Sequence, residues 1–484
     1  MKIIQNIIRE LSEDGFQEML KSVTPQRESK SRQLLELLQE KAYTEKEAAE
    51  KLDINTGALY TLKSRLVPKV VQYFTNLKDN RIRLLRQEAA RVSFVVLNNE
   101  RMISLSFLKD LEKKLIAYDM SSELAVVYKH LSRLHRFDEH YETYERSYQK
   151  HIAFSLAVSK AEDLLYEYIY HLGYYHITRN IEFREQLDDI LEELEHTFNL
   201  YESHRLYTIF QIVQHYHRCT FLSTAELKLL ELEVEEMVAK LEDIFVTYDL
   251  DPFYGVIRNL IPFLNFEYYV RIQNEVKANH YLAEISSLIE YQFKAHLWGF
   301  FISQFLLSLI YKLKNDGDLN SFLIPAEQFR TGYFVEQNES SHLVIFFQYK
   351  SMTAFYQGKF AKAALDMNTL LNLNSFKSLP GLHLELKMFQ AFMYALSGDT
   401  ELYLKLIASV KRNAGKNNPL ATSVKSFSKV LYLLNKSHND HVEGYKMEKY
   451  WNHFTSEEGN PARLLFHLYL NSDLLLSYLK KSSV

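Results

Sequence analysis

Hydrophobic residues recur along this chain with the spacing of a single helix face. Ile3, Ile4, Ile7, Ile8 and Leu11 occupy i, i+3, i+4 positions, and so do Leu187, Ile190, Leu191 and Leu194. Leu227, Leu230, Val234, Met237, Val238 and Leu241 do the same in a Glu-rich stretch read as one helix. No run alternates apolar and polar residues between turn signals, so no strand is expected. Polar Gly/Asn/Pro clusters interrupt the pattern at Asn98-Asn99, Lys314 to Asn320, Thr331 to Ser341, Leu379-Pro380-Gly381, Asn413 to Pro419 and Ser456 to Pro461. They cut the C-terminal half into helices of about 12–20 residues. The pattern predicts an all-α chain.

Composition sharpens this. The 484 residues include 13 Gly and 8 Pro, well under the usual ~7% and ~5%. Glycine supplies the positive-φ turns of hairpins and phosphate loops, and so few of them cannot serve a many-turned β fold. The 33 Tyr and 31 Phe suit gaps between stacked helices. A net charge of −4 excludes a polyelectrolyte that coats nucleic acid or membrane along its whole length. The single cysteine, Cys219, permits no intramolecular disulfide and fits a reducing compartment. Met1 to Phe16 is interrupted by Lys2, Arg9, Glu10, Glu13 and Asp14 and does not read as a signal peptide. The longest apolar stretch, Leu297 to Tyr311, is shorter than the ~20 residues of a membrane span and contains Ser303, Gln304 and Ser308. It predicts a helix buried on all sides, and the chain is expected to be cytoplasmic and not membrane-bound.

The sharpest local signal is Thr44 to Leu66. Thr44 with Glu47 predicts a capping box. Ala48, Ala49 and Leu52 form the inner side of a short helix. Asp53-Ile54-Asn55-Thr56 makes a tight turn and a new N-cap, and Leu59 and Leu62 continue the inner face of a second helix. Ser31 to Leu38 predicts a supporting helix before them. This resembles the helix-turn-helix of sigma-factor and response-regulator DNA-binding domains. Ala49 matches that family's small residue, Ile54 its corner plug, and Leu59 and Leu62 its core positions, while Asp53 stands where the family usually has Gly. The resemblance implies that the second helix enters the major groove. Asn55, Thr56, Gly57, Tyr60, Thr61 and Ser64 would then face bases, and Lys63 and Arg65 phosphates. From Asn55 to Val95, eight Lys/Arg (with Lys69, Lys78, Arg81, Arg83, Arg86 and Arg91) stand against two acids, Asp79 and Glu88, a balance of +6. Against this, the reading face has no Arg, one Asn and no Gln for bidentate base contacts. The same pattern also serves as plain three-helix packing.

Two later windows carry a repeat. In the first, Ser351, Ala354, Gly358, Phe360, Ala363, Met367 and Leu370 place small residues and a turn glycine at set offsets. In the second, the offsets fall on Ala391, Tyr394, Gly398, Thr400, Tyr403, Ile407 and Val410. The windows resemble tetratricopeptide repeats, the second only in part, since Thr400 replaces an aromatic and Tyr403 a small residue. Their turn glycines are 40 residues apart, more than that family's usual period. Ser121 to His151 is a weaker candidate, and Leu164 to Leu313 keeps the helix lengths without the motif. The resemblance implies stacked helical hairpins with a concave face that takes peptides or helices.

Chemical motifs are scarce. Phosphate loops, nucleophile elbows, HExxH and paired CxxC are absent. Glu193 and His196 form one ExxH without the second that a di-iron bundle needs. Of His215, His217 and Cys219, only His215 and Cys219 share a helix face, too few ligands for zinc. The run Tyr166, Tyr168, Tyr170, Tyr174, Tyr175 reads as interhelical core. No catalytic, cofactor or metal residues are expected. The expected organisation is an N-terminal helix-turn-helix bundle over residues 1–98, then a right-handed, tetratricopeptide-like α-solenoid over 99–484, clearest at 341–412. The leading expectation is a non-enzymatic scaffold or adaptor that binds a protein or peptide in its groove. The alternatives are a DNA-binding regulator with a helical sensor domain, with Asn55, Thr56, Tyr60, Thr61, Lys63, Ser64 and Arg65 facing DNA, and an enzyme without a recognised motif.

Overall fold

A computed structural model describes residues 13–24, 29–40, 45–76, 81–201, 203–248, 251–292, 298–316, 340–373, 376, 378–414, 420–437 and 444–456. Among the described residues the chain is all-helical, with no strand. It divides into two compact units, Met1–Lys114 and Leu115–Val484, a division that falls downstream of the Asn98-Asn99 break.

In the first unit, α1 (Glu13–Val23), α2 (Lys30–Glu40) and α3 (Glu45–Lys51) all pack on α4 (Thr56–Asn76). Phe16, Met19 and Leu20 of α1, Leu34, Leu35 and Leu38 of α2, Ala48 and Ala49 of α3, and Leu59, Leu66 and Val70 of α4 form one apolar core. The face predicted from spacing is therefore buried, with Ile54 and Leu62 packed at its edge. Thr44, and with it the expected capping box, lies outside the described residues. Next come α5 (Arg81–Asn98) and α6 (Arg101–Ala117), which turn at Asn98-Asn99. Lys114 of α6 reaches Glu88 of α5 (3.4 Å).

The larger unit begins with α7 (Ser121–Leu134) against α8 (Tyr141–Thr178), followed by α9 (Ile181–Leu200) and α10 (His204–Phe221). The Glu-rich stretch expected as one helix is two, α11 (Thr224–Leu229) and α12 (Glu231–Thr247). The break is at Leu230, whose N–H bonds back only three residues, to the Leu227 carbonyl (2.9 Å). Then follow α13 (Pro252–Ile257), α14 (Ile261–Arg271), α15 (Glu275–Gln292) and α16 (Trp298–Asp316). Residues 300–310 of α16 are all buried, as the apolar stretch predicted. No helix among the described residues is long and apolar enough to cross a membrane. The described residues close with α17 (Ser340–Tyr356), α18 (Phe360–Leu373), α19 (Pro380–Ser397), α20 (Thr400–Asn413), α21 (Ala421–Ser437) and α22 (Gly444–Thr455), each packed on the next.

The two repeat windows form hairpins α17/α18 and α19/α20, with Gly358 (φ 71°) and Gly398 (φ 78°) in left-handed turns. Ser351 on α17 is fully buried and its hydroxyl donates to the Ala363 carbonyl of α18 (2.8 Å), where Ala363 is small enough to let the helices approach. One set of contacts is not between sequence neighbours. The 38-residue α8 packs on both α17 and α19. Gly173 of α8 lies so close to α17 that a Cβ there would meet Ser341 Oγ at 2.7 Å.

Helix ends explain how so few glycines suffice. A Schellman end places one residue in the left-handed region and satisfies two orphan carbonyls. Gly358 and Gly398 do this, but so do Asp53 (φ 50°), Asp119 (φ 48°) and Gln273 (φ 61°). At Asp119 the pair is Asp119 N–H to Ile116 O (3.1 Å) and Met120 N–H to Leu115 O (3.0 Å). At Gln273 it is Gln273 N–H to Val270 O (3.2 Å) and Asn274 N–H to Tyr269 O (2.9 Å).

Candidate functional site

Among the described residues two cationic surfaces stand out, one in each unit. The first is the outer face of α4. The turn that sets its angle is a Schellman end on α3: Asp53 N–H reaches Glu50 O (3.2 Å) and Ile54 N–H reaches Ala49 O (3.1 Å). That geometry brings Ile54 over Ala49, as the apolar contact of this motif requires. Lys30 of α2 donates to the Leu52 carbonyl and closes the helix end. Aspartate replaces the expected glycine without loss of the turn, because Asp tolerates the left-handed region better than most residues.

Asn55 then caps α4, its Oδ1 accepting from Ala58 N–H (2.7 Å). Its side chain is thus engaged in the cap. Thr56, Tyr60, Thr61, Ser64 and Arg65 are exposed, Tyr60 at 73%. Thr61 Oγ1 donates to Gly57 O (3.1 Å) and Ser64 Oγ to Thr61 O (2.9 Å), which leaves their lone pairs outward. Lys63 is drawn back along α3 into an ion pair with Glu45, and its side chain is only 16% exposed. Arg65, Lys69 and Arg91 are exposed, as are Arg83 and Arg86. Lys78 and Asp79 lie outside the described residues. Pro68 sits within α4, and having no N–H it leaves the Ser64 carbonyl without its helical partner.

The second surface was not foreseen from the sequence. Tyr403, Ile407 and Val410 face α20 inward, and Val424, Phe427, Leu431 and Leu434 do the same for α21. Between α20 and α21, flanked by Tyr450 of α22, lies an open groove of about 680 Å³. Ile407, Val424, Ala414 and Ala421 contribute its apolar floor, the two alanines leaving the space that larger residues would fill. Leu404 and Tyr432 stand beside it, 53% and 60% exposed. Lys411, Lys425 and Lys429 line it and, among the described residues, no acid does. Lys429 Nζ lies 5.6 Å from the Tyr450 ring centroid, close enough for a cation–π attraction. Burial, and then the neighbouring Tyr432, push the Tyr403 phenol up to about 12.

A buried carboxyl and two buried imidazoles with displaced ionisation lie elsewhere, in the interior where α8, α10, α14 and α16 meet. Burial raises the Glu267 carboxyl to about 7, with Arg271 opposing. It lowers His215 to about 4 and holds His176 well below its usual value. His215 Nε2 lies 3.0 Å from Leu264 O and 3.7 Å from Cys219 Sγ, so these two share a face as expected. His217 instead meets Asp188 (3.2 Å), and Glu193 of the ExxH pairs with Lys160. Among the described residues no group of three His, Cys, Asp or Glu could hold a metal ion. A separate chain links Asp119, His204 and Tyr254: His204 Nε2 is 3.0 Å from Asp119 Oδ2 and its Nδ1 is 2.6 Å from the Tyr254 hydroxyl. Tyr254 is fully buried, so that phenol meets no solvent.

No protein-family model matches the chain, and neither a curated protein nor a solved structure matches it.

Proposed function

We propose that this protein is a non-enzymatic interaction scaffold, in which a right-handed, tetratricopeptide-like array holds a segment of a partner protein. The observation that carries this reading is the groove of about 680 Å³ between α20 and α21, open, apolar at its floor and rimmed by Tyr and Lys. A binding surface needs apolar area that becomes buried and polar groups that orient the guest. The groove supplies both. Two hairpins with equivalent left-handed glycines, stacked through α18 on α19, support the array. The first helices of those hairpins are closed to guests, since α8 rests on them and α17 is buried on nearly every side. The groove beside α20 is therefore where a partner would dock. A scaffold also fits the strongly shifted groups, Glu267, His176 and His215, which are sealed in the core.

A display library of random peptides, about 15 residues long and so about 22 Å as a helix, tests this on the full-length protein. Sequences captured by the wild type are expected to lose at least about tenfold in affinity for Leu404→Ala/Tyr432→Ala, since truncated contact anchors commonly cost 1–2 kcal/mol. Capture indifferent to that double change removes the groove from consideration.

The exposed face of α4 favours a second reading, a helix-turn-helix DNA-binding regulator with the array as its sensor. Because Lys63 is engaged by Glu45, Arg65 and Lys69 are the residues to reverse. Anisotropy of a labelled random duplex should fall steeply with salt, and the signal should vanish in Arg65→Glu/Lys69→Glu. Absence of binding at low salt discards this reading.

A further inference from the structure

The groove's charge says which kind of peptide it takes. Helices α20, α21 and α22 together carry eight Lys or Arg and only two acids, Glu401 and Glu448, on a chain whose net charge is −4. Glu401 is already paired with Lys405 (2.5 Å). Lys411, Lys425 and Lys429 have no carboxylate partner among the described residues. Three of the eight, Lys411, Lys425 and Lys429, line the apolar trough itself, and among the described residues no acid lines it with them.

We infer that the occupant is an acidic, amphipathic segment of a partner protein, with Leu-, Ile- or Phe-type side chains on the floor and Asp or Glu side chains meeting the lysine rim. This rests on the groove reading above and specifies its partner. Apolar residues alone would be held by Ile407 and Val424 but would leave the ammonium groups to water. A strand of phosphates would satisfy the lysines but not the aliphatic floor. Single-stranded nucleic acid is bound by a succession of aromatic platforms, and here one ring, Tyr432, is markedly exposed while Tyr403 is 3% exposed and lies in the floor. An apolar stripe bordered by carboxylates satisfies both parts at once. Its approach would be accelerated by the local positive field and slowed by salt.

The random-peptide selection decides it when the captured pool is sequenced and read for charge. The expected pool is enriched in Asp and Glu flanking apolar residues, and Lys425→Gln/Lys429→Gln weakens its individual peptides on the order of tenfold, as two surface ion pairs allow. Raising the salt should narrow that gap. A captured pool of neutral or basic composition, still dependent on Leu404 and Tyr432, overturns the acidic partner while leaving the groove a peptide site. Loss of groove dependence altogether overturns both. A labelled oligothymidine tested in parallel provides the remaining contrast: tighter binding than the selected peptides, lost in the lysine variant, would make the groove a nucleic-acid channel and end the inference. All the changed side chains lie at the groove surface, and thermal melts of each variant should match the wild type.

Discussion

The two units differ most in what they shut away from water. Among the described residues the first unit buries an apolar cluster, from Phe16 and Leu34 to Leu59 and Val70, and the only polar side chains it buries are two small hydroxyls, Thr24 and Ser104. The larger unit buries Glu267, His176, His215, Gln304 and Ser308 among its aromatics. Every residue of α14 from Ile261 to Val270 is buried, Glu267 included. The first kind of core obeys the rule that burial sorts residues by hydrophobicity. The second is set by position within the stack, so a helix surrounded by others takes its polar residues inside with it. Among the titratable ones, burial shifts each toward its uncharged form, Glu267 upward and His176 and His215 downward, because a buried charge is expensive.

The largest effect that would break this contrast is at Glu267. A carboxyl raised from 4.5 to about 7 favours folding when protonated. Its contribution is complete below pH ~4.5, declines as the pH climbs to about 7, and is constant above that. Glu267→Gln keeps the shape and removes the titration. The variant should therefore gain on the wild type between pH 4.5 and pH 8, by up to ~3 kcal/mol at 1.36 kcal/mol per unit. Urea unfolding of the larger unit at the two pH values measures it. Equal pH slopes in the two proteins would mean that Glu267 stays charged and paired, and that the larger unit's interior is less dry than its burial suggests.

Next in size is the contact that closes the first helices of the hairpins. A Cβ on Gly173 would stand 2.7 Å from Ser341 Oγ and 3.1 Å from its Cβ. Hydroxyl rotation relieves the first clash but not the second, so Gly173→Ala is expected to cost about 1–3 kcal/mol, the range for overpacked cores. Gly173→Ala/Ser341→Ala should recover part of that, a coupling visible in a double-mutant cycle. Additive behaviour would show that α8 yields easily, and that the face of α17 and α19 is a covered groove after all.

How far the sequence foretold each region follows from the same contrast. Helical spacing located Ala48, Ala49, Leu52 and Leu59 correctly, because in a small bundle each helix has one inside and one outside. The hairpins were legible through Gly358 and Gly398, whose left-handed turns leave a fixed mark at fixed offsets. Burial of α16 followed from its unbroken apolar run. The contact of α8 with α17 and α19 left no such mark, since it joins residues more than 160 positions apart, Gly173 and Ser341 among them. The groove was equally hidden: Lys411, Lys425 and Lys429 belong to two helices and read singly as ordinary solvated charges. The engagement of Lys63 by Glu45 likewise depends on how α3 crosses α4, and the sequence placed Lys63 at phosphates instead. The break at Leu230 could not be separated from a continuous helix by periodicity, because both halves keep the same face.

The smallest effect is the most direct comparison between units, because it exchanges one atom group at equivalent backbone positions. Asp53 closes α3 in the first unit and Gly398 closes α19 in the larger one, both in the left-handed region. A side chain there brings Cβ toward the following carbonyl, a strain of roughly 1 kcal/mol that Asp partly escapes. Asp53→Gly relieves the strain but loosens the unfolded chain, so a net gain of only about 0.5 kcal/mol is expected for the first unit. Gly398→Ala should do the opposite and cost about 1 kcal/mol, purely through conformation, since an added Cβ would touch nothing within 4 Å. Denaturant midpoints of the two variants check both signs. If Asp53→Gly instead destabilises, the aspartate contributes an interaction that offsets its strain. The resemblance to glycine-containing helix-turn-helix turns would then hold for the path of the backbone but not for what stabilises it.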